Sequence, residues 1–176
     1  TFTATDNTTQ TVTLTITGTN DTPTVTAFTQ TRAYTDASFT VDLLSGTADV
    51  DTNDTLTILT GATATAVDQD GNSVTIPGSA WSISGSTLSI DPSAWGTLAN
   101  ADRRVITVNY DVTDGFATTP NTATITISGI NQAPTITVGS GDSDNAAATE
   151  TNEGLVASGT LTLGDVDTSD TVSVSV

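Results

Sequence analysis

Apolar and polar residues alternate with a period of two over much of the chain, the pattern of strands that bury one face. The strictest short run covers residues 11–17, where Val12, Leu14 and Ile16 share one face and threonines the other. Before it, Asp6 and Asn7 predict the turn of a hairpin whose first strand contains Phe2. Further strands are predicted over residues 24–28, 38–43, 55–59, 62–67, 73–76, 81–83, 87–90, 105–112 and 121–129, then over 135–138, 155–163 and 171–176. Turn signals such as Asp70-Gly71-Asn72, Pro77-Gly78, Ser84-Gly85-Ser86 and Asp114-Gly115 separate them. Helical character is confined to residues 92–101, where Asp91 or Ser93 is placed to cap a single turn leading to Leu98. The chain therefore reads as all-β.

Parts of this pattern occur twice. Residues 13–24 read TLTITGTNDTPT and residues 124–135 read TITISGINQAPT, with Gly18 and Gly129 standing 111 positions apart. Residues 49–58, DVDTNDTLTI, return as residues 165–174, DVDTSDTVSV, 116 positions later. Two independent segments with nearly one period mark a tandem repeat, and the difference of five is one short loop insertion. In each Gly-x-Asn-x-x-Pro stretch a strand ends at the Gly, and the Pro opens a new extended run without a hairpin reversal. Such stretches are expected to be short, stiff junctions. Residues 1–19 then read as the C-terminal part of a preceding repeat, 20–130 as a complete domain, and 131–176 as the N-terminal part of a following one. Frequent turns, abundant Thr and Val, and two Trp for a core predict a β-sandwich of Ig-like type.

Composition narrows the chemistry. Acidic residues number 20 against 3 basic ones, for a net charge of −17. Nucleic acid is excluded as a partner, since its affinity rests on cationic neutralisation of phosphate, and so large a surplus repels itself unless cations neutralise it. The absence of Cys and His removes disulfides, thiolate chemistry, imidazole catalysis and the commonest zinc ligand. No apolar run approaches the length of a membrane span. An enzyme is not expected.

The runs DLLSGTADVDTNDTLTI and SGSTLSIDPSAWGTLANADRRVITVNYDVTDG, with the junction GTNDTP, resemble the cadherin-like and VCBS-type Ig-like tandem repeats of giant bacterial RTX-type surface adhesins. The resemblance covers nearly the whole chain in two frames. It implies an extracellular extender domain that is secreted without disulfides, is stiffened by calcium at its junctions, and projects a distal binding domain for cell adhesion or biofilm formation. The second junction departs from the pattern: Asn131-Gln132 stands where Asn-Asp is usual, which removes one carboxylate.

Ca2+ takes six to eight oxygen ligands, and Asp-x-Asp aims two carboxylates at one ion. The expected ligands of the first junction are Asp6, Asn20, Asp21, Asp49, Asp51 and Asp54. Those of the second are Asp111, Asp114, Asn131, Glu150 or Glu153, Asp165, Asp167 and Asp170. Taken singly each acid is an ordinary turn residue; the repetition of Asp49-x-Asp51 at Asp165-x-Asp167 favours calcium. Asp68-Gln69-Asp70-Gly71 reads as a plain hairpin turn. A glycosidase needs two carboxylates in an apolar cleft, which turn-located acids do not promise. Thr-x-Thr-x-Thr over residues 11–15 is good strand surface rather than an extended ice-binding array. A carbohydrate-binding module using Trp81 or Trp95 is the alternative from another class. The expected partners are neighbouring repeats, including head-to-tail strand complementation between residues 11–17 of one copy and the trailing segment of another.

Overall fold

The computed structural model describes residues 2–3, 5–6, 8–145 and 158–174. In chain order its strands are β1 (Phe2–Thr3), β2 (Thr9–Gln10), β3 (Phe28–Ala33), β4 (Phe39–Asp42), β5 (Thr57–Ile58), β6 (Thr63–Val67), β7 (Trp81–Ser84), β8 (Thr87–Ile90), β9 (Arg103–Thr113), β10 (Thr118–Ser128), β11 (Thr135–Thr137) and β12 (Thr162–Gly164). One 3-10 turn, Pro92–Trp95, is capped by Asp91, whose carboxylate accepts from the Ser93 N–H and hydroxyl at 3.1 and 2.7 Å.

The longest alternating stretches of sequence become the longest strands. β9 and β10 form an antiparallel hairpin from Thr113↔Thr118 to Arg103↔Ser128. Ile106, Val108, Tyr110 and Val112 project inward from β9, and Ala123, Ile125 and Ile127 from β10. β3 joins the outer edge of β10 in parallel, while β5 and β6 pair with the other edge of β9. Opposite lies the three-stranded antiparallel sheet β4-β8-β7, which contributes Val41, Leu88 and Ile90 to the same core. The result is an all-β sandwich. Trp81 and Trp95 are half-buried and pack against this core.

A buried polar tie closes the sandwich near its N-terminal end. The Tyr110 hydroxyl donates to the Leu43 carbonyl at 3.2 Å and accepts from Asn121 Nδ2 at 2.9 Å, which also donates to the Thr26 carbonyl. Burial, then the nearby Asp42 charge, raises the Tyr110 phenol above its ordinary value, so it remains a neutral donor.

Several sequence expectations are corrected. Residues 11–17 form no strand: Val12, Leu14 and Ile16 are 62, 80 and 86 % exposed. The hairpin at Asp6 exists but pairs Phe2–Thr3 with Thr9–Gln10. The first strand of the sandwich starts at Phe28 instead of ending there; upstream of it Thr24 makes a single bridge to Ala48. Residues 73–76 reduce to a bridge between Val67 and Ser73, and residues 171–174 are not in a strand.

Strand direction decides what lies at each end of the sandwich. β10 starts at the Asp114-Gly115 turn and leads to Gly129, so the turn sits at the N-terminal end, where the Thr119 hydroxyl meets the Pro23 carbonyl at 2.8 Å. The loop before β9, residues 96–102, lies at the opposite end, where the Gly129 N–H donates to the Asp102 carbonyl at 2.8 Å. An 11-residue strand separates the two ends, roughly 35 Å at about 3.3 Å per residue.

Candidate functional site

At the N-terminal end the chain gathers Asn20, Asp21, Asp49, Asp51, Asp54 and Asp114. The Asp49 carboxylate closes its own turn by accepting the Asp51 N–H at 2.9 Å, and Asp51 Oδ2 accepts the Asp21 N–H at 2.7 Å. The buried Asp114 caps the β9–β10 turn: one oxygen accepts from the Phe116 and Ala117 N–H groups, both at 2.6 Å, and the other from Asn20 Nδ2 at 3.1 Å. The sequence expectation for Asp114 is the second junction; the structure places it at the first. Asp111, on the same strand end, is exposed and likewise far from the second junction. Asp6 belongs to the β1–β2 hairpin, where it accepts from the Thr8 hydroxyl and N–H, and it makes no contact with the first junction's acids among the hydrogen bonds of the described residues.

The electrostatics of this cluster are uneven. The N–H donors of Ala117 and then Phe116 hold the Asp114 carboxyl below its ordinary range. Asp54 is pushed the other way, first by burial and then by the negative charges of Asp51, Asp114 and Asp49. One oxygen of Asp49, Oδ2, is buried without a hydrogen-bond partner. That orphaned acceptor and the all-oxygen donor set fit a hard cation. One oxygen each of Asp49, Asp51 and Asp114 is turned onto a main-chain N–H, and among the described residues no three acids are drawn together tightly enough to enclose an ion by themselves.

The signs give a testable contrast. Asp54 binds its proton more tightly folded than unfolded, so its contribution is full below the ordinary carboxylate value and is lost as pH rises through the raised folded value. Ionised Asp54 thus opposes folding at neutral pH. In EDTA at pH 7, Asp54→Asn is expected to melt slightly above the parent, and a lower melting temperature would refute the assignment. Asp114 has the opposite sign: its contribution is present above the ordinary value and fades as pH falls through the lowered folded value.

The second junction repeats the first in detail. Asp165 accepts the Asp167 N–H at 2.8 Å, and Asp167 Oδ2 accepts the Gln132 N–H at 2.5 Å. The Asn131 amide donates to the Gln132 carbonyl, as Asn20 does to Asp21. The Asp170 N–H returns to the Asp167 carbonyl as that of Asp54 returns to Asp51. β11 pairs Thr135 with Gly164, the counterpart of the bridge from Thr24 to Ala48. No known protein family, curated protein or solved structure matches the chain. The duplication within the chain is therefore the comparison that informs function.

The second junction also shows what the sandwich gives to the segment that follows it. Asp167 is 1 % exposed, and its Oδ1 accepts the Asn100 N–H at 2.5 Å. Loop 96–102, with Gln132, thus takes the place assigned by sequence to Asp111 and Asp114. Sequence reading missed both Asn100 and Gln132; the available signal was that residues 98–102 immediately precede the strand that starts at this end. Glu150 and Glu153 lie outside the described residues.

Proposed function

We propose that the chain is a structural extender: tandem Ig-like, cadherin-like sandwich repeats of a bacterial cell-surface adhesin, acting outside the cell to hold a distal binding domain away from its surface. The observation that carries this reading is the duplicated junction, in which the same hydrogen bonds recur at residues 20–54 and 131–170. A protein that builds one connector twice, at opposite ends of a sandwich, is organised to extend. Neighbouring repeats are its partners, and the exposed row Val12, Leu14 and Ile16 is the surface on which a preceding repeat, or a second copy head to tail, would pair.

Calcium is part of the proposal at the first junction. Asn20, Asp21, Asp49, Asp51, Asp54 and Asp114 would hold it, and the ion would supply positive charge to a cluster whose members repel one another. Carbohydrate binding gains less support, because Trp81 and Trp95 each pack part of their surface against the core. Calorimetric titration with Ca2+ is expected to show saturable binding that Asp51→Asn weakens, since affinity follows the number of charged ligands. Absence of any binding at millimolar Ca2+ would remove calcium from the reading.

A further inference from the structure

Asp21 and Gln132 occupy one position in the duplicated junction, since each donates its N–H to Oδ2 of the second acid in an Asp-x-Asp pair. Their side chains differ in what they can do. A carboxylate only accepts hydrogen bonds, whereas the glutamine amide carries an NH2 with two donors. Asp21 is exposed, and its carboxylate has no hydrogen bond among the described residues. Gln132 Nε2 instead lies within hydrogen-bond reach of three oxygens, the Ile130 carbonyl at 2.6 Å, the Tyr34 hydroxyl at 3.1 Å and the Leu98 carbonyl at 3.2 Å, among which its two N–H bonds are shared, while its Oε1 is buried without a partner. These come from the linker, the residue after β3 and the loop before β9, so one NH2 group joins three separate parts of the C-terminal end.

The backbone is shaped to bring this group in. Gly129 lies so close to residues 98–99 that a Cβ there would collide with the Ala99 carbonyl. The approach places Leu98 O within reach of the amide and the Asn100 N–H within reach of Asp167. A carboxylate at position 132 would set acceptor against acceptor, and joining it to the same carbonyls would require a cation between them.

We propose that Gln132 is a metal-free clasp: its NH2 does the work of a bridging cation, so the second junction holds its geometry without calcium. The clasp does not depend on whether the first junction binds an ion. The two amides that donate to Asp167, those of Asn100 and of position 132, report on it directly.

The test is amide hydrogen exchange by NMR on the parent protein and on Gln132→Glu, which keeps size and removes the donors. In the parent, protection at both amides is expected to be the same in EDTA and in millimolar Ca2+. In Gln132→Glu in EDTA it should fall about tenfold, the scale of one or two lost hydrogen bonds, while the Ile106 and Ile125 amides of the core keep theirs and show the fold to be intact. Parent protection that collapses in EDTA, or a variant indistinguishable from the parent in EDTA, would overturn the clasp. Should the variant lose the core protection as well, Gln132→Met supplies the same comparison with a neutral side chain. The Asp21 amide reads the calcium proposal separately: its indifference to Ca2+ would discard that proposal and leave the clasp standing.

Discussion

Chelation of divalent cations is expected to lower the melting temperature by about 5 to 10 °C for each ion lost. A ligand that binds only the folded state at a hundredfold excess over its Kd adds about 2.7 kcal/mol, and for a chain of this size each kcal/mol moves the midpoint by about 2 to 4 °C. Two features make the first junction the source. Asp49 Oδ2 is buried with no donor, and Asp54 is surrounded by Asp51, Asp114 and Asp49. The net charge of −17 adds diffuse repulsion that a cation relieves. Because salt also screens diffuse charge, the comparison is made at fixed ionic strength, with Mg2+ in a parallel sample. Identical melting curves in EDTA and in millimolar Ca2+ would show that the acidic cluster is a set of turn caps and nothing more.

Ile125→Ala should destabilise the protein by about 3 kcal/mol, within the 2 to 5 kcal/mol typical of truncating a buried Ile or Leu, while Leu14→Ala should change stability by less than about 0.5 kcal/mol, as surface substitutions do. The two residues hold the same place in the repeated motif, TLTITG and TITISG. Ile125 is fully buried between β3 and β9, whereas Leu14 is 80 % exposed. The pair therefore compares one position of the repeated motif in two environments. Chemical denaturation followed by Trp fluorescence would measure both. A large loss at Leu14 would mean that residues 11–17 are covered in solution, as head-to-tail pairing requires, and its concentration dependence would identify a second copy.

That contrast also shows where sequence reasoning carried and where it stopped. Alternation located β9, β10, β4 and β8 because each carries apolar residues at alternate positions, on the face that the sandwich buries. The same alternation misled at residues 11–17: a strand is a pairing, and periodicity states which face would be buried without supplying the partner. β3 was displaced for the converse reason. Its sequence, FTQTRA, has little apolar signal, and its parallel pairing with β10 bridges about ninety-five intervening residues, so nothing local announces it.

The junction chemistry was legible in kind but not in place. The repeated Asp-x-Asp and Asn-x-x-Pro pairs pointed to the correct turns, and the structure joins them through Asp51 and Asp167. Assigning Asp111 and Asp114 to the following junction failed because a turn's position along the chain differs from its position along the molecule. The turn precedes the last strand of the sandwich, and that strand must run the full length before the chain leaves. Gln132 read as a lost carboxylate. Its gain of donors became visible only once the carbonyls of Leu98 and Ile130 were seen around it.

The parallel pairing of β3 with β10 has a mechanical consequence. Six residues of each strand are in register, from Phe28 beside Ala123 to Ala33 beside Ser128. The chain enters β3 from one end of the sandwich and leaves β10 at the other. Tension applied through the two junctions therefore pulls these neighbours in opposite directions along their own axes. Their cross-links are loaded in shear and must fail together instead of unzipping one by one. In the proposed extender that load would fall on the pairing between the first strand and the last.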